Sequence, residues 1–267
     1  MAKSKDGTLI PMTIVHQKGL KRDGSTPALI YGYGGYGVSQ SPAYLGNSNF
    51  RLWLEQGGTL VLTNLRGGAE FGEAWHLGGN LTHKQNVFDD FAACARYVIE
   101  EKYSSPEHIA ALGASNGGLL MGAELTQHPE LFRAVVSLVG IYDSLRDELD
   151  PNGAFNVTEF GSVQDPAQFK ALYAYSPYHR VVNGTQYPAV LLMTGDNDGR
   201  VNPAHSRKMT ARLQAATASP RPIFLRTSAG AGHGIGSSLN EQIEQQADLY
   251  AFLFDQLGIE YRPATRP

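Results

Sequence analysis

The chain has 267 residues, 42% of them hydrophobic, which suits one α/β domain with a substantial core. A formal charge of −3 without runs of like charge offers no surface for nucleic acid, and the one cysteine, Cys94, excludes an internal disulfide and a cysteine-rich metal site. No segment approaches the roughly 18 consecutive apolar residues of a membrane span.

The start of the chain, residues 1–8, is polar and lysine-bearing and lacks the apolar core of a signal peptide. This leaves the compartment open: cytoplasmic, or periplasmic for a processed fragment. Asp6-Gly7 is a strong hairpin-turn signal, followed by a strand over residues 10–16. Only five residues precede that turn, too few for a partner strand, so the segment is expected to leave an exposed sheet edge that invites self-association. Ala28-Leu29-Ile30-Tyr31 reads as a buried strand with a glycine-rich exit around Tyr33. A helix is expected over residues 87–102, where Cys94 is most simply a small core residue.

Ile109-Ala110-Ala111-Leu112 is a short apolar run, and residues 119–127 read as a helix. Between them stands Gly113-Ala114-Ser115-Asn116-Gly117-Gly118. A serine in a sharp strand-to-helix turn projects its hydroxyl from the top of a sheet, and flanking glycines let strand and helix approach. This is the Gly-x-Ser-x-Gly nucleophile elbow of α/β hydrolases in the context it requires. A glycine-rich helix entrance can share the pattern, so the reading depends on partners. A serine hydroxyl needs a base to take its proton, and the base needs a third group to fix its tautomer. In this fold the chain order is serine, acid, histidine.

Downstream, residues 142–187 form a polar, turn-rich segment inserted between two strands, which usually lies over an active-site mouth. The strand over 189–194 is followed by Gly195-Asp196-Asn197-Asp198-Gly199-Arg200, so Asp196 and Asp198 are both candidates for the acid. Asp143 is more simply a turn residue. His205 lies in a helix over 204–217, where a side chain is less free to swing. A final strand over 222–226 leads to a loop with His233 between glycines, the expected base. The last helix, residues 240–257, should pack on the sheet through Ile243, Leu249, Phe252 and Leu253.

With these features in place, the sequence resembles the catalytic domain of the prolyl oligopeptidase family over nearly its whole length. The resemblance rests on ordered matches: Ser4-Lys5-Asp6-Gly7-Thr8, Tyr31-Gly32-Tyr33-Gly34-Gly35, Asn64-Leu65-Arg66-Gly67-Gly68-Ala69-Glu70-Phe71-Gly72 and Trp75-His76-Leu77-Gly78-Gly79. They continue through Lys84-Gln85-Asn86-Val87-Phe88-Asp89-Asp90-Phe91, the elbow, Tyr175-Ser176-Pro177, Asp198-Gly199-Arg200-Val201 and Gly232-His233-Gly234. It implies an α/β-hydrolase fold, a mostly parallel twisted sheet with helices on both faces, as one domain over residues 1–267. The family's β-propeller and further N-terminal segment have no counterpart in this chain. The family's motif places the acid two residues before the arginine, which selects Asp198.

The resemblance also implies an oxyanion hole of two donors, the backbone N–H of Asn116 and the hydroxyl of Tyr33. Arg200 matches an arginine that holds a carbonyl of the bound peptide, with a surface salt bridge as the alternative. In the family a tryptophan stacks on the substrate proline. Counting back from Phe160-Gly161 puts Asn156 in its place, beside Phe155, and Tyr36 replaces a phenylalanine. Tyr36, Phe160 and Val201 still give a partly apolar pocket, but its platform for proline is missing or displaced.

The expected activity is a serine hydrolase cleaving peptide bonds in short peptides through Ser115, Asp198 and His233 and an acyl-enzyme. The alternative is a carboxylesterase on small acyl esters, whose leaving group needs less help. A second alternative is a non-catalytic binding module on the same fold. No cofactor or metal is required, and no metal-ligand spacing is visible.

Overall fold

A computed structural model describes residues 1–42, 48–234 and 237–263. The first two strands, β1 (Ala2–Lys3) and β2 (Leu9–Ile10), form a small antiparallel ribbon around the Asp6-Gly7 turn. Five residues therefore suffice for the hairpin, contrary to expectation. The expected strand over 10–16 is split: Pro11 cannot donate to a ladder, and the chain leaves the ribbon there to begin β3 (Met12–Val15). The ribbon is tied down by Arg66. Its guanidinium reaches Asp90 at 2.6 Å, Asp6 at 2.5 Å and the Ser4 hydroxyl at 3.3 Å.

Six further strands complete the main sheet: β4 (Ala28–Tyr31), β5 (Thr59–Thr63), β6 (Ile109–Ala114), β7 (Ala134–Leu138), β8 (Ala189–Gly195) and β9 (Ile223–Ser228). Their order is β3-β5-β4-β6-β7-β8-β9, with β3 antiparallel to β5 and every other pair parallel. A parallel sheet must be covered on both faces, and side chains alternate between them. Along β8, Val190 and Leu192 enter one core while Ala189, Leu191 and Met193 enter the other.

Nine α-helices are described: α1 (Ser48–Glu55), α2 (Glu73–Leu77), α3 (Gln85–Glu100), α4 (Asn116–Gln127), α5 (Gly153–Phe160), α6 (Pro166–Tyr175), α7 (Pro177–Arg180), α8 (Ala204–Ala216) and α9 (Leu239–Leu257). The first core takes Phe88 and Phe91 of α3, Leu119 and Leu120 of α4, and Met209 and Leu213 of α8. The second takes Trp53 of α1 and Leu249, Phe252 and Leu253 of α9. Cys94 is fully buried in the first core, as expected. Ile243 departs from expectation and is 56% exposed. It shares a face with Tyr250 and Phe254, seven and eleven residues on, but lies in the first half of α9, where no residue from 239 to 248 is buried. The inserted segment 142–187 is also not mainly turns, since α5, α6 and α7 all lie within it. Among the described residues no helix is long and apolar enough to cross a membrane.

One buried group opposes the fold. Glu124 of α4 is fully buried, and neither carboxylate oxygen has a partner among the described residues. Burial raises its pKa well above 4.5; Arg96 opposes this, while Asp89 and Glu130 add to it. The folded state thus favours the neutral acid. Its contribution is intact below about pH 4.5 and is lost as pH rises above it. Glu124→Gln should flatten that decline and raise the neutral-pH Tm, at about 2–4 °C per kcal/mol recovered. Thermal unfolding from pH 4 to 9 checks this, and an unchanged slope would clear Glu124 of the effect.

Candidate active site

The elbow forms where β6 turns into α4. Ser115 sits at φ 59, ψ −116, a conformation that costs a non-glycine residue about 1–3 kcal/mol. Three backbone bonds hold it: Ser115 N–H to Leu138 O at 2.8 Å, and Gly118 and Leu119 N–H back to Ser115 O at 2.8 and 3.0 Å. The glycines are required by contact, because a Cβ on Gly113 would lie 2.2 Å from the Gly117 carbonyl oxygen.

His233 and Asp198 complete a line with the serine. His233 Nε2 lies 3.0 Å from Ser115 Oγ, and His233 Nδ1 lies 2.7 Å from Asp198 Oδ2. The other Asp198 oxygen accepts the N–H groups of Arg200 and Val201, both at 2.9 Å. Burial pushes the Asp198 carboxyl up, but the hydrogen bonds from His233 and these two amides outweigh it and leave its pKa below the ordinary value. An ionised Asp198 holds the proton on Nδ1 and leaves the Nε2 lone pair facing the hydroxyl. Asp196 is instead engaged with Arg207 at 2.7 Å, so geometry separates the two aspartates that spacing could not.

Tyr33 follows the end of β4, and its hydroxyl lies near the Ser115 side chain. Burial raises its pKa, which keeps the phenol protonated and able to donate. The loop is fixed to the elbow by Asn116, whose Nδ2 donates to Tyr33 O at 2.5 Å. The Asn116 backbone N–H lies in the first turn of α4, where helix donors have no intrahelical acceptor.

The expected pocket residues also meet. Tyr36 lies parallel to Phe155, with centroids 5.8 Å apart and 13° between planes, and edge-on to Phe160 at 5.7 Å. The Arg200 guanidinium stands 5.1 Å from the Phe155 centroid, and among the described residues no carboxylate pairs with it. Phe155 is half exposed, whereas Asn156, Phe160 and Val201 are buried. Asn156 is held from both ends: its Oδ1 accepts the Tyr36 hydroxyl at 2.7 Å, and its Nδ2 donates to the Asp147 carboxylate at 3.0 Å.

Behind the pocket lie polar residues that sequence reasoning missed or read as plain structure. His205 accepts the backbone N–H of Tyr142 and Asp143 at Nδ1, at 3.1 and 3.0 Å, which puts its proton on Nε2, 2.9 Å from Asp150. Asp147, Asp150 and His205 could by spacing surround a cation. With its proton on Nε2, however, His205 serves the carboxylates as a donor rather than a metal as a ligand. Asp143, expected to be a simple turn residue, is buried and paired with Lys208 and Arg146. Lys84, His76 and Glu159 form a second buried group. Lys84 and His76 stood in matched motifs, and Glu159 adjoins Phe160, but nothing local to any of them signals the others.

A serine hydroxyl, an imidazole and a buried carboxylate in line at the carboxyl edge of a parallel sheet, over a nucleophile elbow, define an α/β hydrolase. The family model "Prolyl oligopeptidase family" matches residues 44–260, and the chain belongs to that family. It is 42% identical to a prolyl endopeptidase of Elizabethkingia meningoseptica over 258 residues, 96% of this chain and 36% of that protein. To a prolyl endopeptidase of Dictyostelium discoideum it is 39% identical over 260 residues, 96% of this chain and 34% of that one. A structure from a study of two prolyl endopeptidases superposes with a TM-score of 0.94 at 47% identity, covering 97% of this chain and 38% of the other. The chain thus spans roughly a third of the length of these curated relatives.

Asn156→Leu should destabilise the protein, because it strands the Tyr36 hydroxyl and the buried Asp147 carboxylate together. Each unsatisfied group costs about 1–3 kcal/mol. Denaturant unfolding of Asn156→Leu against Asp147→Asn/Asn156→Leu checks the assignment: the double variant should recover part of the loss.

Proposed function

We propose that this chain is a serine peptidase that cleaves peptide bonds in short peptides through an acyl-enzyme. The observation that carries the reading is the Ser115–His233–Asp198 line, at 3.0 and 2.7 Å, with the Tyr33 hydroxyl beside the serine. Ser115 Oγ attacks the substrate carbonyl carbon while His233 Nε2 takes its proton. Asp198 orients the ring and stabilises the imidazolium. The oxygen that gains charge is received by the Asn116 N–H and the Tyr33 hydroxyl. The imidazolium returns the proton to the leaving amine, and a water activated by the same base releases the acyl group.

In this proposal Arg200 holds a peptide carbonyl near the scissile bond, and Tyr36, Phe155, Phe160 and Val201 line the side-chain pocket. Asn156 contributes by holding Tyr36. The 142–187 segment shapes the mouth through α5. Relatives named prolyl endopeptidase support a peptide substrate. A carboxylesterase is the second reading. It is favoured by Asn156, which is buried and fully engaged where the family's stacking tryptophan is expected. The edge of β3, paired among the described residues only with β5, supports self-association.

The test is kcat/KM on a blocked Gly-Pro anilide and a short-chain p-nitrophenyl ester, with Ser115→Ala as the blank. Ser115-dependent anilide cleavage is expected, and ester turnover alone would favour the second reading. Tyr33→Phe should lower kcat about 10²–10³-fold. Asp198→Asn should cost about 10⁴-fold through the wrong tautomer, while Asp196→Asn stays near wild type. Equal losses in the two aspartate variants would overturn the assignment of the acid. Sedimentation over a concentration series should show association that a charged residue on β3, Thr13→Lys, abolishes.

A further inference from the structure

Lys84, at the start of α3, is a fully buried cation. Its Nζ donates to Glu159 Oε1 at 2.9 Å and to the Gly34 carbonyl oxygen at 3.0 Å, and it stands 5.2 Å from the Phe160 ring centroid. Glu159 is buried on α5, and its second oxygen lies 2.8 Å from His76 Nε2. Burial lowers the Lys84 pKa while the Glu159 charge opposes that shift. A buried ion pair of this kind is weak support for stability, since well-packed apolar residues of similar volume often do as well or better. Its placement is more informative than its energy.

Gly34 lies between Tyr33, the proposed oxyanion donor, and the loop that leads to Tyr36. Two clamps meet on this stretch. From the elbow side, Asn116 donates to the Tyr33 carbonyl oxygen at 2.5 Å. From the pocket side, Lys84 donates to the Gly34 carbonyl oxygen and is itself fixed by α5. The same α5 carries Phe155, Asn156 and Phe160, all three in contact with Tyr36. Gly34 has no slack: at φ +64, a Cβ there would lie 2.3 Å from Val87 of α3.

We propose that Lys84 and Glu159, supported by His76, are positioning residues that lock the pocket helix α5 to the Tyr33–Gly34 backbone, so that the pocket wall and the oxyanion donor move as one body. This rests on the proposed function for the role of Tyr33. The pair touches no reacting atom and acts through the loop. Its loss lets the Tyr33 hydroxyl depart from the position where charge develops, and small misplacements of that kind weaken transition-state contacts more than ground-state ones.

The test uses Lys84→Met/Glu159→Leu, which removes both charges at similar volume and so avoids the unpaired charge that either single variant leaves. Lys84→Met alone serves as the destabilised control. Three outcomes are expected of the double variant: a Tm near wild type, kcat lowered about 10-fold or more with KM little changed, and a smaller penalty for adding Tyr33→Phe than in wild type. Hydrogen exchange at the amides of residues 33–36 should accelerate while exchange in β6 and β8 does not. Wild-type kcat, an undiminished Tyr33→Phe penalty or unchanged exchange at 33–36 would each overturn the brace. The exchange measurement needs no turnover. Absence of Ser115-dependent turnover in the wild type would sink the proposed function, while exchange still decides whether the pair holds the loop.

Discussion

Gly113 and Gly117 bring the end of β6 and the first turn of α4 into backbone contact, and the strained turn at Ser115 exists because they do. A side chain at either position would push the helix from the sheet: a Cβ on Gly117 would lie 2.6 Å from the Gly32 carbonyl oxygen. That second contact matters as much as the first, because Gly32 precedes Tyr33. Close packing at the elbow therefore sets two things together, the direction of the serine hydroxyl and the distance to the loop bearing the proposed oxyanion tyrosine. Strain at Ser115 is tolerated because its own amide and carbonyl are both hydrogen-bonded within this packing.

The parallel sheet converts that local constraint into a site. β4, β6, β8 and β9 all run in the same direction, so the segments after them emerge at one edge. Tyr33, Ser115, Asp198 and His233 each stand in one of those segments. None needs a long loop to reach the others, and the strands fix their spacing. The proposed acid shows the benefit. Asp198 is held by two amides of its own loop before it meets His233, so the carboxylate is aimed by the backbone rather than by the partner it orients.

Features that a short window of residues determines could be read from the sequence. Glycines flanking Ser115, apolar runs of strand length and a histidine between glycines are local signals, and these elements lie within a residue or two of their expected positions. The hairpin at Asp6-Gly7 was visible as a turn, but not its two-residue arms, because their stability comes from Arg66 binding Asp6 and Asp90 far along the chain. Ile243 shares the angular face of Tyr250 and Phe254, but α9 begins to bury side chains only at Leu249, a boundary that helical periodicity does not mark. Residues 142–187 read as turns because α6 and α7 begin at prolines and the helices are short. Asp147, Glu159 and His205 stayed hidden for another reason. A buried charge is legible only with its partner, and Glu159 lies 75 residues from Lys84.

Asn156 marks the point where family resemblance and geometry part. A tryptophan expected at this position would offer a flat face to a substrate ring. The asparagine offers neither a face nor a free hydrogen bond, since Tyr36 and Asp147 use both ends of its amide. The exposed ring beside it is Phe155, which lies parallel to Tyr36 and faces Arg200. Asp147 explains why the change cannot be undone by one substitution. Burial raises its carboxyl to about 6, with His205 and Asn156 opposing and Asp150 and Asp143 adding to the shift. An aromatic residue at 156 would remove a donor from a carboxylate that already pays for its burial. Asn156 and Asp147 therefore form one unit, and the character of the proposed pocket wall belongs to the pair rather than to either residue.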